Sequence, residues 1–394
     1  MPMIVVILQK DAQVRITVVR MYRNARVVWP LEMDVFLLNQ SVKVGKNEPD
    51  STVNFLPADG AIITSCKKSG ASPLYIACKN GHDRTVQLLL NNGVNINSCS
   101  DTGASSLFIA CETGHENTVQ LLLARGANIN LSRNDKTCPL YVACQEGHDN
   151  IVQLLLTRGA NTNLCKNDGA SPLYIACKNG HDGTVQHLMK YGADINLNTN
   201  DGFSPFLIAC LKGHDTISQS LLNNGASINL CNDNGTSPLY IACKYGHDRT
   251  VQLLLKNGAD INLCEKDGGS PLYIACEKGH DSTVHILLKN GANVNQCEKT
   301  GTSPLFIASQ NGHDSIVQCL LRNGADINLC ENNGASPFYI ACERGHVSTL
   351  QLLMDNGADI NLCLYSGDSP FKTAYQHGHD NTVQVLRNNS ADID

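Results

Sequence analysis

The side chains best suited to chemistry in this 394-residue chain are its 13 histidines and 18 cysteines. Thiolates and imidazoles are the usual zinc ligands, and a thiol beside an imidazole is a nucleophile with its base. Their spacing argues against both uses. Ten histidines follow a glycine at steps of 33 residues, from His82 to His379. Eight cysteines fall in one column (Cys78, Cys111, Cys144, Cys177, Cys210, Cys243, Cys276, Cys342) and eight in another (Cys66, Cys99, Cys165, Cys231, Cys264, Cys297, Cys330, Cys363). No two cysteines stand two to four apart, the spacing with which structural zinc sites begin. Like positions in stacked helical units lie about 10 Å apart, beyond the roughly 7 Å that a disulfide spans between Cα atoms. A column of identical residues also lacks the asymmetric cluster of nucleophile, base and orienting group that catalysis needs. No phosphate-binding or dinucleotide fingerprint occurs. No catalytic, cofactor-binding or metal residue is expected, and the chain reads as a non-enzyme.

Composition narrows the partners. The formal charge of −6 comes without a basic block, so neither nucleic acid nor anionic lipid is an expected partner. The early apolar run Met3 to Leu8 is too short for a signal segment or a membrane span. A monomeric cytoplasmic protein with reduced thiols, or a nuclear one, is the expectation.

The elements that position these columns come from the repeat itself. Ser72-Pro73-Leu74-Tyr75-Ile76-Ala77-Cys78 returns at Ser171 to Cys177 and at Ser270 to Cys276. In the unit around Gly169, Ser171 is placed to cap a helix whose first residue is Pro172, where a missing amide hydrogen costs nothing. Leu173, Ile175, Ala176 and Cys177 give that helix an apolar side, and Gly180 ends it. His181-Asp182 turns the chain into a second helix from Thr184 to Met189, which Gly192 closes. Ala193 to Leu197 forms an extended loop to the next unit. Neither helix is long enough to stand alone, so neighbouring units must bury each other's faces.

With its Ser-Pro-Leu-Tyr, Gly-His and Gly-Ala-Asp-Ile-Asn signatures, the unit resembles the ankyrin repeat over residues 67–394, as ten repeats. The resemblance implies an all-α solenoid of paired antiparallel helices with protruding, hairpin-like loops. It also implies a non-catalytic scaffold or adaptor that binds a protein on its concave face. Tyr75, Tyr141, Tyr174, Tyr240, Tyr273 and Tyr339 stand where the family usually has histidine, so that residue's usual hydrogen bonds are not assumed. Residues 47–66 match half of a further unit and read as a partial capping repeat, and Lys372, Thr373 and Arg387 give the last unit a polar outer side. Residues 1–46 share none of this. Val5–Leu8, Val14–Val19 and Ala25–Trp29 are β-prone runs in what is either a small packed appendage or a poorly ordered tail. An alternative reading is a targeting subunit or fragment in which this head, or a missing segment, carries the activity.

Function should reside where the frame varies. After the loop glycine, nine units carry a small or polar residue and the fifth carries Phe203. Two places before the Gly-His glycine, nine units carry a polar residue and the fifth carries Leu211. In the next column Tyr245 stands among polar residues. Phe203, Leu211 and Tyr245, ringed by Lys178, Lys212 and Lys244, are the expected protein-binding residues, suited to an apolar anchor with acidic neighbours. The fifth repeat also departs inside, with Ser218 in a valine column and Ser220 in a leucine column, which predicts a soft point there. In the third, Lys136 replaces a glycine and Cys138 the capping serine. By resemblance to ankyrin loops that are hydroxylated on asparagine in animal cells, Asn262 is an expected modification site.

Overall fold

The computed structural model describes residues 69–389 and, near the start, two strands, β1 (Val5–Leu8) and β2 (Val14–Thr17). The strands pair antiparallel with Val5 opposite Thr17 and Leu8 opposite Val14, so two of the three β-prone runs form a hairpin. The third run and the partial repeat at 47–66 lie outside the described residues.

From Pro73 to Asn388 the chain forms ten helix pairs, one per 33-residue unit. Repeat four shows why. Ser171 sits in extended backbone and its hydroxyl accepts from the Tyr174 amide at 3.1 Å, ahead of a first helix over Pro172–Asn179. Gly180 ends that helix at φ 79°, and a second helix follows over Asp182–Lys190. A substituent on Gly180 would also meet the His214 ring of the next repeat at 2.8 Å, so this column needs glycine for conformation and for close approach.

One apolar core runs from Leu74 to Leu386 through every unit. At each of the nine described interfaces between successive repeats, the first helices pack against one another more extensively than the second helices do. The stack therefore curves, with the first helices on the inner side. Each loop ends in a tight turn: in repeat four the Lys166 amide donates to the Ala170 carbonyl at 3.0 Å, and Gly169 donates to Lys166 at 2.9 Å. The expected hairpin character is confined to such turns, with a single isolated bridge between Cys99 and Ser105 among the described loops.

Three polar ladders tie the units together. The Asn163 side-chain oxygen accepts from the Asp194 amide at 2.9 Å, and asparagines at the same phase repeat this along the array. His181 donates through Nε2 to the Gln145 carbonyl of the preceding repeat at 3.0 Å, as its counterparts do in most units. The buried Thr283 hydroxyl donates to Asp248 at 2.6 Å, a rung that recurs at Thr118, Thr184, Thr250 and Thr349. The histidine column is thus occupied by backbone recognition across repeats.

Candidate functional site

The first helix of repeat five (Pro205–Lys212) carries two of the expected binding residues at its opposite ends. Phe203 lies just before the cap, held by the Thr199 hydroxyl, which accepts the Phe203 amide at 3.0 Å. Leu211 lies in the last turn, and its carbonyl accepts from His247 at 2.9 Å. Eight residues of helix rise separate them by about 12 Å, so they do not form one anchor. Both are half-buried and pack against the core. Their columns are small or polar in the other repeats, which predicts surface positions. An apolar side chain at the edge of a solenoid folds down on its neighbours instead, removing area from water.

Tyr245 is different. It is 50% exposed at the end of the first helix of repeat six (Pro238–Lys244), with its ring stacked on His247 at 6.1 Å. Lys178 and Lys212 are exposed and Lys244 half-buried, and none has a carboxylate within ion-pair reach among the described residues. Leu211, Lys212, Lys244 and Tyr245 thus occupy the same end of two adjacent first helices, away from Phe203.

A recess of about 510 Å³ opens one repeat earlier than expected. Tyr141, Tyr174, Lys166, Lys178, Asp168 and Asp201 line it, so Lys178 is the expected residue that it includes. Burial raises the pKa of both tyrosine hydroxyls, and Asp168 adds to the effect, which leaves them as neutral donors. Further along, the inner side becomes acidic. Glu265 accepts from the Tyr240 hydroxyl at 2.9 Å. The Tyr273 hydroxyl is pushed up to about 12 by burial and then by Glu277, Glu298, Glu331 and Glu265. Nothing in the variable columns alone located either feature, because each is built from consensus tyrosines and loop residues of adjacent repeats.

The cysteine columns separate by environment. Cys177 and its counterparts in the first helices are buried, and burial holds their thiols well above the ordinary range. The seven loop thiols among the described residues donate to a carbonyl two residues back, as Cys165 does to Asn163 at 3.5 Å. Among the described residues no group of three histidine, cysteine or acidic side chains converges as for a metal ion. Asn262 is half-buried, and its side-chain oxygen accepts from the Asn293 amide at 2.9 Å, the same rung its counterparts make. Its geometry does not distinguish it from Asn229 or Asn295.

A family model described as ankyrin repeats in three copies matches residues 38–133, 125–199, 183–265, 206–298, 257–330 and 305–394. Among solved structures, the chain is similar to the crystal structure of the human ASB11 ankyrin repeat domain, at 30% identity and a TM-score of 0.52. That match covers 57% of this chain and 99% of the other. The search of curated proteins gives no match. No helix among the described residues is long and apolar enough to cross a membrane.

Proposed function

The chain belongs to the ankyrin-repeat family, whose repeats generally mediate protein–protein interaction, and from that premise we propose a non-catalytic adaptor that binds an acidic, apolar-anchored protein segment on its inner side. The observation that carries this reading is the set of cations without ion-pair partners among the described residues, Lys212 and Lys244 beside the exposed Tyr245 and Lys178 in the recess two repeats earlier. Each such lysine is free to pair with a partner's carboxylate, and the tyrosine supplies rigid contact area at small entropic cost. Leu211, half-buried at the same helix end, lies beside Lys212, whereas Phe203 sits at the far end of that helix. The glutamates of repeats seven to nine repel the acidic end of the segment and so fix its direction. The protein acts in the cytoplasm or nucleus as a monomer, with repeats at 67–394, a capping half-repeat at 47–66 and a dispensable head at 1–46. Hydroxylation of Asn262 is a separate proposal on family resemblance, to be read by mass spectrometry of the native protein.

Peptides with a central aromatic or leucine flanked by Asp and Glu test the reading by fluorescence anisotropy. Lys178→Glu with Lys212→Glu should weaken binding about tenfold or more, the loss of about 1.4 kcal/mol, and Tyr245→Ala should weaken it further. Residues 47–394 alone should bind as the full chain does. Equal binding of peptides flanked by Lys and Arg overturns the proposal.

A further inference from the structure

The sequence holds eleven Asn-Gly pairs, at Asn80, Asn92, Asn179, Asn224, Asn234, Asn257, Asn290, Asn311, Asn323, Asn333 and Asn356. Each is chemically disposed to lose ammonia. The glycine amide nitrogen, without a side chain to shield it, attacks the asparagine Cγ. The Cγ–Nδ2 bond breaks, ammonia leaves with the proton of the amide, and a succinimide results. Water then opens the ring at either carbonyl, giving aspartate or isoaspartate.

The fold treats these pairs unequally. Nine of the side chains donate Nδ2 to a main-chain carbonyl: Asn92 to Leu88 at 2.8 Å, for example, and Asn311 to Glu277 at 3.0 Å. Asn333, at a loop tip, is held instead as acceptor from the Ala335 amide at 2.8 Å. The glycine amides give no such contrast, since those of both loop tips and of the helix ends are all engaged. Asn234 alone stands apart: it is exposed, and its side-chain amide makes no hydrogen bond among the described residues.

The cause lies two residues earlier. In repeats three, four and nine the residue at this phase accepts the amide two places on, as Asp168 does from Ala170 at 3.0 Å. In repeat six the buried Asn232 takes that amide, accepting from Thr236 at 2.9 Å and from Asn234 itself at 3.0 Å. The Asn234 side chain is left without its usual work.

We propose that Asn234 is a site of spontaneous deamidation, the first of the eleven to convert in the folded protein. Nothing in this depends on the binding partner. The aspartate product places a carboxylate where Asp135, Asp168, Asp201 and Asp267 already stand in sister repeats, and the turn accommodates it. The isoaspartate product adds a methylene to the main chain between the Asn232–Gly235 turn and the bond from the Lys266 amide to the Asn234 carbonyl, loosening repeat six from seven.

The experiment incubates the intact protein at neutral and mildly alkaline pH and follows each Asn-Gly peptide by mass, with isoaspartyl methyltransferase labelling for the second product. Asn234 should convert about fivefold faster than the helix-end asparagines, the population effect of one side-chain hydrogen bond. In concentrated urea the eleven should converge. Asn234→Gln should remove the early signal and leave the rest. Any other pair converting first in the folded protein, or the same order surviving in urea, overturns the assignment.

Discussion

Lys136 is the single non-glycine residue with positive φ among the described residues, at 66°. Its column otherwise holds glycines with φ between 70° and 93°, so the turn has kept its geometry and the side chain bears the strain. Lys136→Gly should stabilise the protein by about 1 kcal/mol, read as a higher denaturant midpoint. A neutral result would mean that contacts of the lysine stem offset the strain. Position 138 in the same repeat shows a milder tolerance. The Cys138 sulfur replaces the serine cap and accepts from the Tyr141 amide at 3.3 Å, a weaker version of the same bond.

At the scale of the elements, the second helices start without a side-chain cap: no N-cap histidine bonds its own helix. Their first turns are tied to the previous repeat by the threonine–aspartate rungs instead. Thr283→Val keeps the shape and removes the donor from Asp248. It should cost about 1.5 kcal/mol, the usual loss for a bond to a charged acceptor, with Thr283→Ser recovering most of it. The same change at the exposed Thr216 should cost far less, because water replaces the lost partner. These rungs were invisible as such in the sequence. The threonines and aspartates were legible, but their partners lie 35 residues away and meet only once the units stack.

For the molecule as a whole, stability is a sum of units and interfaces, and the weakest unit sets where the array opens. Ser218 is fully buried in repeat five, where sister units place Val152, Val185 or Val284. Its hydroxyl has only a 3.9 Å contact with the Cys210 sulfur. Ser218→Val should raise stability by about 1 to 2 kcal/mol, and in the natural protein amides around Ser218 should exchange faster than those around Val152 and Val284. Equal protection across the three would refute a soft centre. A weak unit beside the Lys212 and Tyr245 surface would let the two halves of the groove adjust to a partner.

The period, the ten helix pairs and the caps were legible in the sequence alone, because each rests on short-range rules: serine before proline, glycine where φ must be positive, apolar residues on one helical side. All 28 glycines in the three turn columns adopt positive φ, while Gly183 and Gly269, outside the columns, do not. Only the tertiary structure decided what the repeated polar residues do and which irregular residues face solvent. The histidines and asparagines bridge positions 36 and 31 residues apart, a relation that exists only after stacking. Phe203 and Leu211 looked exposed by column and are half-buried, whereas Tyr245 stands clear. Burial at a solenoid edge depends on the neighbouring unit's side chains, and a single column carries no record of them.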